Sequence, residues 1–165
     1  MGSITSTFRF ESYKIDHIAF EMKKIIPLLE TTGNIDPKAW RFSINLAKPL
    51  YSKSHKKYIS ALRAELKLMP NSNNTDRQKE EKIEPLAMCE VTISGLFSVE
   101  EGRLDKKIEM NILKLQLPSL LLPYVRSAIT SILANAGFGS VVLPLVNMQE
   151  IAKNAEHELD IQIID

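Results

Sequence analysis

The chain has 165 residues, 44% hydrophobic and 25% charged, with a formal net charge of +1 from 21 Lys+Arg and 20 Asp+Glu. That is about one domain's worth of chain, too apolar for a disordered protein and long enough to bury a core without disulfide or metal staples. The near-balanced charge excludes a nucleic-acid binder driven by bulk charge, and one cysteine with three scattered histidines excludes a disulfide framework or a multi-cysteine metal site.

Charge is nonetheless uneven along the chain. Residues 1–83 carry 15 basic and 9 acidic side chains, whereas residues 84–165 carry 6 and 11. Such a polarity fits either a field that steers a partner or a solvated surface. No segment shows the ~20 consecutive apolar residues of a membrane span, and Arg9, Glu11, Lys14 and Asp16 interrupt any apolar signal core. The expectation is a cytoplasmic protein without direct membrane insertion.

Strand-like segments come first and helix-like segments last, which predicts an α+β fold rather than alternating βαβ units. Residues 7–22 read as a long strand. Phe8 and Phe10 share a phase with Ile18, Phe20 and Met22, while Tyr13 and Ile15 fall out of phase and imply a bulge or face change. Residues 23–39, with Pro27, Gly33 and Pro37, read as a long crossover. Trp40, Phe42, Ile44 and Leu46 then alternate with Arg41, Ser43 and Asn45; Leu62, Ala64, Leu66 and Leu68 alternate with Arg63, Glu65 and Lys67. The polar run 70–83 reads as a mobile hairpin loop. In 86–99 the apolar phase holds Ala87, Cys89, Val91, Ile93, Phe97 and Val99, opposite Glu90, Thr92, Ser94 and Ser98. Four such strands make an antiparallel sheet covered on one face.

Helical spacing follows. Leu104, Ile108, Ile112 and Leu115 form a stripe that Pro118 should stop. A second helix is predicted from about Leu120 to Asn135, with Pro123 in its first turn and Gly137 as C-cap; its buried stripe is Val125, Ile129, Ile132, Leu133 and Ala136. A third begins at Asn147, with Glu150 three residues on as a capping box, and buries Met148, Ile151, Ala152, Ala155 and Leu159. The whole is expected to be one domain over 1–165 with a tail at about 160–165: a four-stranded antiparallel sheet with C-terminal helices on one face.

Catalytic chemistry finds little purchase in this pattern. His17, His55 and His157 lie in separate elements without HExxH spacing, and Gly137-Phe138-Gly139 lacks the lysine and spacing of a phosphate loop. Cys89 sits among apolar strand neighbours, where a thiol is inert. No catalytic residue, metal ligand or cofactor is therefore assigned, and no enzyme is expected. The apolar run Leu117–Val125, broken by two prolines, and Pro144-Leu145-Val146 read either as groove lining or as core.

Leu117-Pro118-Ser119-Leu120-Leu121-Leu122-Pro123-Tyr124-Val125-Arg126, Ala128-Ile129-Thr130-Ser131 and Leu143-Pro144-Leu145-Val146-Asn147-Met148 resemble the C-terminal helical signature of the SecB family of protein-export chaperones. Cys89-Glu90-Val91 and Gly95-Leu96-Phe97-Ser98-Val99 look like that family's last strand, and Ile18-Ala19-Phe20-Glu21 and Trp40 fall where its first strand and crossover would be. The resemblance covers about residues 7–155. It implies a homotetramer, a dimer of dimers, that holds unfolded preproteins on hydrophobic grooves without ATP and docks the motor SecA on an acidic patch.

Carried onto this chain, the client groove is expected at Trp40, Phe42, Ile44, Leu46, Leu122, Leu145, Met148 and Ile151. Motor docking falls on His17, Glu21, Met88 and Glu90, and the oligomer interface on Cys89, Val91 and Ile93. The chain departs from the family in four ways. Its pI is near 7.8 where the family is acidic; His17 stands where the patch has its first acid; the loop at 70–83 is expanded; and the ending Ile161-Gln162-Ile163-Ile164-Asp165 is not purely polar. These departures leave two other readings open, a dedicated chaperone of an aggregation-prone antitoxin and a non-chaperone oligomeric assembly protein.

Overall fold

The computed structural model describes residues 8–71, 83–100, 102–155 and 160–165. The core of the predicted loop (residues 72–82), His157 and Leu159 lie outside the described residues. Strand β1 is Phe8–Met22, followed by a short helix α1 (Ile26–Thr31) and a 3-10 turn, Pro37–Ala39, capped by the Asp36 side chain on Lys38 N. Strands β2 (Trp40–Leu46), β3 (Leu50–Ser52), β4 (Lys57–Leu68) and β5 (Ala87–Val99) complete the long strands. Helices α2 (Lys106–Asn111), α3 (Leu117–Asn135) and α4 (Met148–Asn154) follow, and β6 (Gln162–Ile164) closes the chain.

The sheet has six strands rather than the four predicted from alternation. Its order is β1-β5-β4-β3-β6, with β2 also pairing to β4. β2 pairs with residues 62–68 of β4 and β3 with residues 57–59, so the two share one edge of that long strand end to end. The two extra strands are three residues each, too short for a period-2 signal, and β6 joins β3 in the sheet's parallel pairing. On β1 the register shifts twice against β5, between Phe10 and Ser12 and between Ile15 and His17. Those two bulges return Tyr13 and Ile15 to the same face as Phe8, Phe20 and Met22, which explains the phase slip in the sequence.

One face of the sheet carries the core. Tyr58, Leu62, Ala64 and Leu66 of β4 and Cys89, Val91, Ile93 and Phe97 of β5 are fully buried beneath α3, whose Leu117, Leu121, Val125, Ile129 and Leu133 form the facing stripe. Close approach depends on Gly95: a Cβ there would stand 2.7 Å from Leu121 Cδ2 and 2.8 Å from Phe97 Cε2. Any side chain at 95 would force the Leu121 and Phe97 side chains to shift in a close-packed core.

The helical half differs from the sequence expectation in one respect. Pro118 does not end the first helix. A π turn over Ile112–Gln116 links α2 to α3, giving one continuous helix from Lys106 to Asn135. The wider i→i+5 ring absorbs the missing N–H and the ring clash that a proline causes in a regular helix. By length and composition this 30-residue helix could cross a membrane, but its buried stripe faces the sheet. The C-terminus of α3 is a Schellman motif: Phe138 N donates to Leu133 O at 3.0 Å and Gly137 N to Ala134 O at 3.1 Å, with Gly137 at φ +96°. On α4, Asn147 caps as expected, its side chain accepting from Gln149 N and Glu150 N.

The π turn also changes which residue is buried. Ile108, expected in the stripe, is exposed, and Glu109 is buried in its place. Its carboxylate accepts a short hydrogen bond from the buried Tyr58 hydroxyl and is held by Arg103 Nε at 3.1 Å. Burial and the adjacent carboxylate both push the Tyr58 hydroxyl well above the usual phenol range. The Tyr51 ring packs against Tyr58 at 4.6 Å and closes the site. Glu109→Leu should therefore orphan the Tyr58 hydroxyl and destabilise the chain by about 1–3 kcal/mol. Adding Tyr58→Phe should recover part of that loss in a chemical-denaturation double-mutant cycle.

Candidate functional site

Helix α3 covers β4 and β5, so the outer parts of the same apolar face remain only partly covered. On one side lies β2. Its alternation turns Trp40, Phe42, Ile44 and Leu46 to the core side, opposite Leu68, Leu66, Ala64 and Leu62. Ile44 is buried and the other three are half-buried. Phe138, projected by the Schellman turn, meets Trp40 edge-on at 5.3 Å and Phe20 at 6.5 Å. Helix α4 packs on β2 and brings up Met148, which is buried, and Ile151, which is half-buried; Leu122 of α3 also packs against the main core.

Six of the eight residues expected in the groove, Trp40, Phe42, Ile44, Leu46, Met148 and Ile151, thus belong to the packed β2–α4 pair. Leu122 lies on α3 against the main core, and Leu145 is 96% exposed. The guanidinium of Arg126 donates to Pro144 O at 2.8 Å and Leu143 O at 3.1 Å, pinning the extended segment before α4. Leu143 is consequently buried, while Val142 and Leu145 turn to solvent. Sequence reasoning missed Phe138, having weighed Gly137-Phe138-Gly139 only as a phosphate loop. A glycine just past a helix end followed by an aromatic was the available signal.

On the other side of α3 lies β1. Phe10 and Tyr13 stack against Tyr124 of α3, with centroids 5.8 and 4.3 Å apart. Beyond them Ile15 and Ile18 remain 45% and 50% exposed, and Met22 is exposed too. This exposed row, on a strand that pairs only with β5 among the described residues, is an apolar surface that strand periodicity alone did not single out.

The opposite face of the sheet is polar. His17, Ala19 and Glu21 of β1 stand beside Thr92, Glu90 and Met88 of β5, so the four residues expected at the motor-docking patch do share one face. A cleft of about 590 Å³ opens next to them, lined by Glu21, Met22, Lys23, Pro85 and Met88 among others. Glu90 is not a free acid, however. Arg63 Nη2 lies 2.7 Å from one oxygen and His17 Nε2 3.4 Å from the other. The Arg63 hydrogen bond holds the Glu90 carboxyl below the usual range. The patch is therefore a mixed-charge cluster.

The interface expected at Cys89, Val91 and Ile93 requires correction. All three are fully buried inside the chain beneath α3 and offer no surface to a neighbour. Their strand phase reflects core packing. Burial pushes the Cys89 thiol up to about 11, in keeping with an inert core cysteine.

Comparison with known proteins agrees with this architecture. The model of the family described as preprotein translocase subunit SecB matches residues 58–158, more than half of the chain. Among similar sequences are the protein-export protein SecB of Anaplasma phagocytophilum, 31% identical over 80 residues, and that of Ehrlichia canis, 32% identical over 84. The matches cover 45% and 44% of this chain and 51% and 48% of those proteins, so the chain spans about half the length of these relatives. The fold is similar to a SecB-like chaperone of Mycobacterium tuberculosis solved in complex with a ChAD peptide from an antitoxin; the TM-score is 0.60 at 8% identity, covering 85% of this chain and 91% of that one. With a matching family model over β4, β5 and the helices, more than half of the chain, the chain belongs to the SecB family.

Proposed function

We propose that the chain is an ATP-independent holdase that takes up extended apolar segments of non-native polypeptides in the cytoplasm. The observation that carries this reading is the half-buried row Trp40, Phe42 and Leu46 of β2, on which α4 packs with the half-buried Ile151. An apolar strand face flanked by a helix, neither sealed nor polar, suits a segment that supplies alternate side chains. A holdase binds the non-native state and by mass action delays its aggregation. Phe42→Asp should abolish suppression of aggregation of an unfolded test protein, while leaving the fold intact by circular dichroism. The fluorescence of Trp40, the only tryptophan, should shift when wild-type protein binds that client. A Phe42→Asp chain that holds clients as well as wild type would remove this groove from the reading.

Assembly into a homotetramer is part of the same proposal, with the β1 edge as the surface available for it. Ile15, Ile18 and Met22 lie exposed along a long strand that, among the described residues, pairs on one side only, and a second copy would cover the other. Ile18→Arg should lower the mass seen by light scattering and leave a folded chain. Val91→Arg should instead unfold it, because an unpaired charge in the core costs several kcal/mol.

One observation favours a dedicated antitoxin chaperone over general export. Of the acids that would dock SecA, Glu90 is paired with Arg63, whereas steering of a basic partner needs net negative potential. The antitoxin peptide bound by the structural neighbour supports the same direction. His17→Asp should accordingly raise affinity for SecA and make binding more salt-sensitive, as measured by titration at two ionic strengths. If SecA binding is equally strong with and without that change, the His17 cluster does not govern docking.

A further inference from the structure

The last strand, β6, is held at the edge of the sheet by very little backbone. Gln162 N donates to Pro49 O at 2.9 Å and Lys53 N to Ile164 O at 3.3 Å, over a parallel register of Leu50, Tyr51 and Ser52 with Gln162, Ile163 and Ile164. Three residues of parallel pairing are marginal on their own. Side chains supply the remainder. Ile161 packs partly into the core, whereas Ile163 and Ile164 stay partly exposed. Ile164 and Asp165 close a cleft of about 340 Å³ with Leu50, His55, Ile59 and Leu96 on the outer sheet face.

An anchor ends the segment. Asp165, at φ +52°, curls back so that its carboxylate accepts hydrogen bonds from Ser54 and, at 3.1 Å, from Ser52, with His55 Nδ1 3.7 Å away. Aspartate is one of the few side chains that accepts this left-handed backbone. The hydroxyls of Ser52 and Ser54 in turn both contact His55 Nδ1, so the β3–β4 turn forms a polar socket for one carboxylate.

The edge therefore already displays the chemistry of its occupant: an extended aliphatic segment, read by backbone pairing, by core packing at Ile161 and by one cleft on the outer face, with an acidic residue in the Ser52–Ser54–His55 socket. We propose that β6 is an internal stand-in for such a segment, and that a client carrying aliphatic residues followed by an acid displaces it from β3. Resting on the holdase reading, this assigns the chain a second strand-accepting site, remote from the β2–α4 groove. The chain's own last strand keeps that site closed until a client competes for it.

The test uses the full chain with Gln162→Pro, which removes the donor to Pro49, and Asp165→Ala, which removes the anchor. The probe is a labelled hexapeptide with the sequence of residues 160–165. It should bind the Gln162→Pro chain at least ten-fold more tightly than wild type, and the Asp165→Ala chain by a smaller margin in the same direction. The Lys53 amide should exchange faster in both variants and regain protection when the peptide binds. A reduced, carboxymethylated lysozyme should displace the peptide.

Equal peptide affinity for wild type and both variants would overturn the proposal. So would peptide binding that the unfolded lysozyme cannot displace, even while Phe42-dependent holding persists and keeps the holdase reading alive. Loss of holding in Phe42→Asp with unchanged peptide binding would support two separate sites. Should Gln162→Pro fail to fold, Asp165→Ala decides alone. Larger assemblies of wild type that vanish in Gln162→Pro would overturn it in favour of strand exchange between copies.

Discussion

The width of one helix governs this molecule. A helix with its side chains is about 10–12 Å across and strands lie about 4.8 Å apart, so one helix shelters roughly two strands. Here α3 lies on β4 and β5, and the sheet continues beyond them on both sides. The apolar phase of β1 and β2 is as pronounced as that of the central strands, but it has only Tyr124, Phe138 and the short helix α4 to cover it. Partly covered apolar rows follow from that geometry, and the proposed client and assembly surfaces are those rows.

Several local devices hold α3 in its central position. Gly95 lets Leu121 approach the strand, and the π turn admits Pro118 without ending the helix. The Schellman turn places Phe138 over Trp40, and Arg126 pins the chain on its way to α4. At the other end the Tyr58–Glu109–Arg103 contact ties the start of the helix to the start of β4. Several of these residues fall within the stretch that resembles the family signature, and their roles here are matters of packing and hydrogen bonding.

Periodicity made the four long strands legible because each has one apolar face: Trp40–Leu46 appears where alternation placed it. It failed where long-range pairing decides. Nothing near Glu109 reveals that Tyr58, 51 residues away, will satisfy it in place of Ile108. Burial was also misjudged in kind. Cys89, Val91 and Ile93 have an apolar phase, and sequence alone cannot say whether a helix of the same chain or a neighbouring copy covers it. On β2, strand parity placed Trp40, Phe42, Ile44 and Leu46 on one face, whereas the exposure of Leu145 was not legible, because the Arg126 clamp fixes which residues of the extended segment turn inward.

The β1 and β3 edges of the sheet are handled in opposite ways, and the difference bears on what each can do. A long edge with unpaired amides is a template for any extended chain, and proteins blunt such edges by bulges, charges or a cover. β1 is bulged twice and charged on its outer phase by Arg9, Lys14 and Glu21, which narrows the partners that can pair along it to one with matching curvature. A second copy meets that condition by symmetry. β3 is instead short and covered by β6 through a few hydrogen bonds and one carboxylate anchor. A cover held so lightly protects the edge from indiscriminate pairing yet yields to a segment that reproduces its contacts, so selectivity there resides in the socket for Asp165 rather than in the backbone.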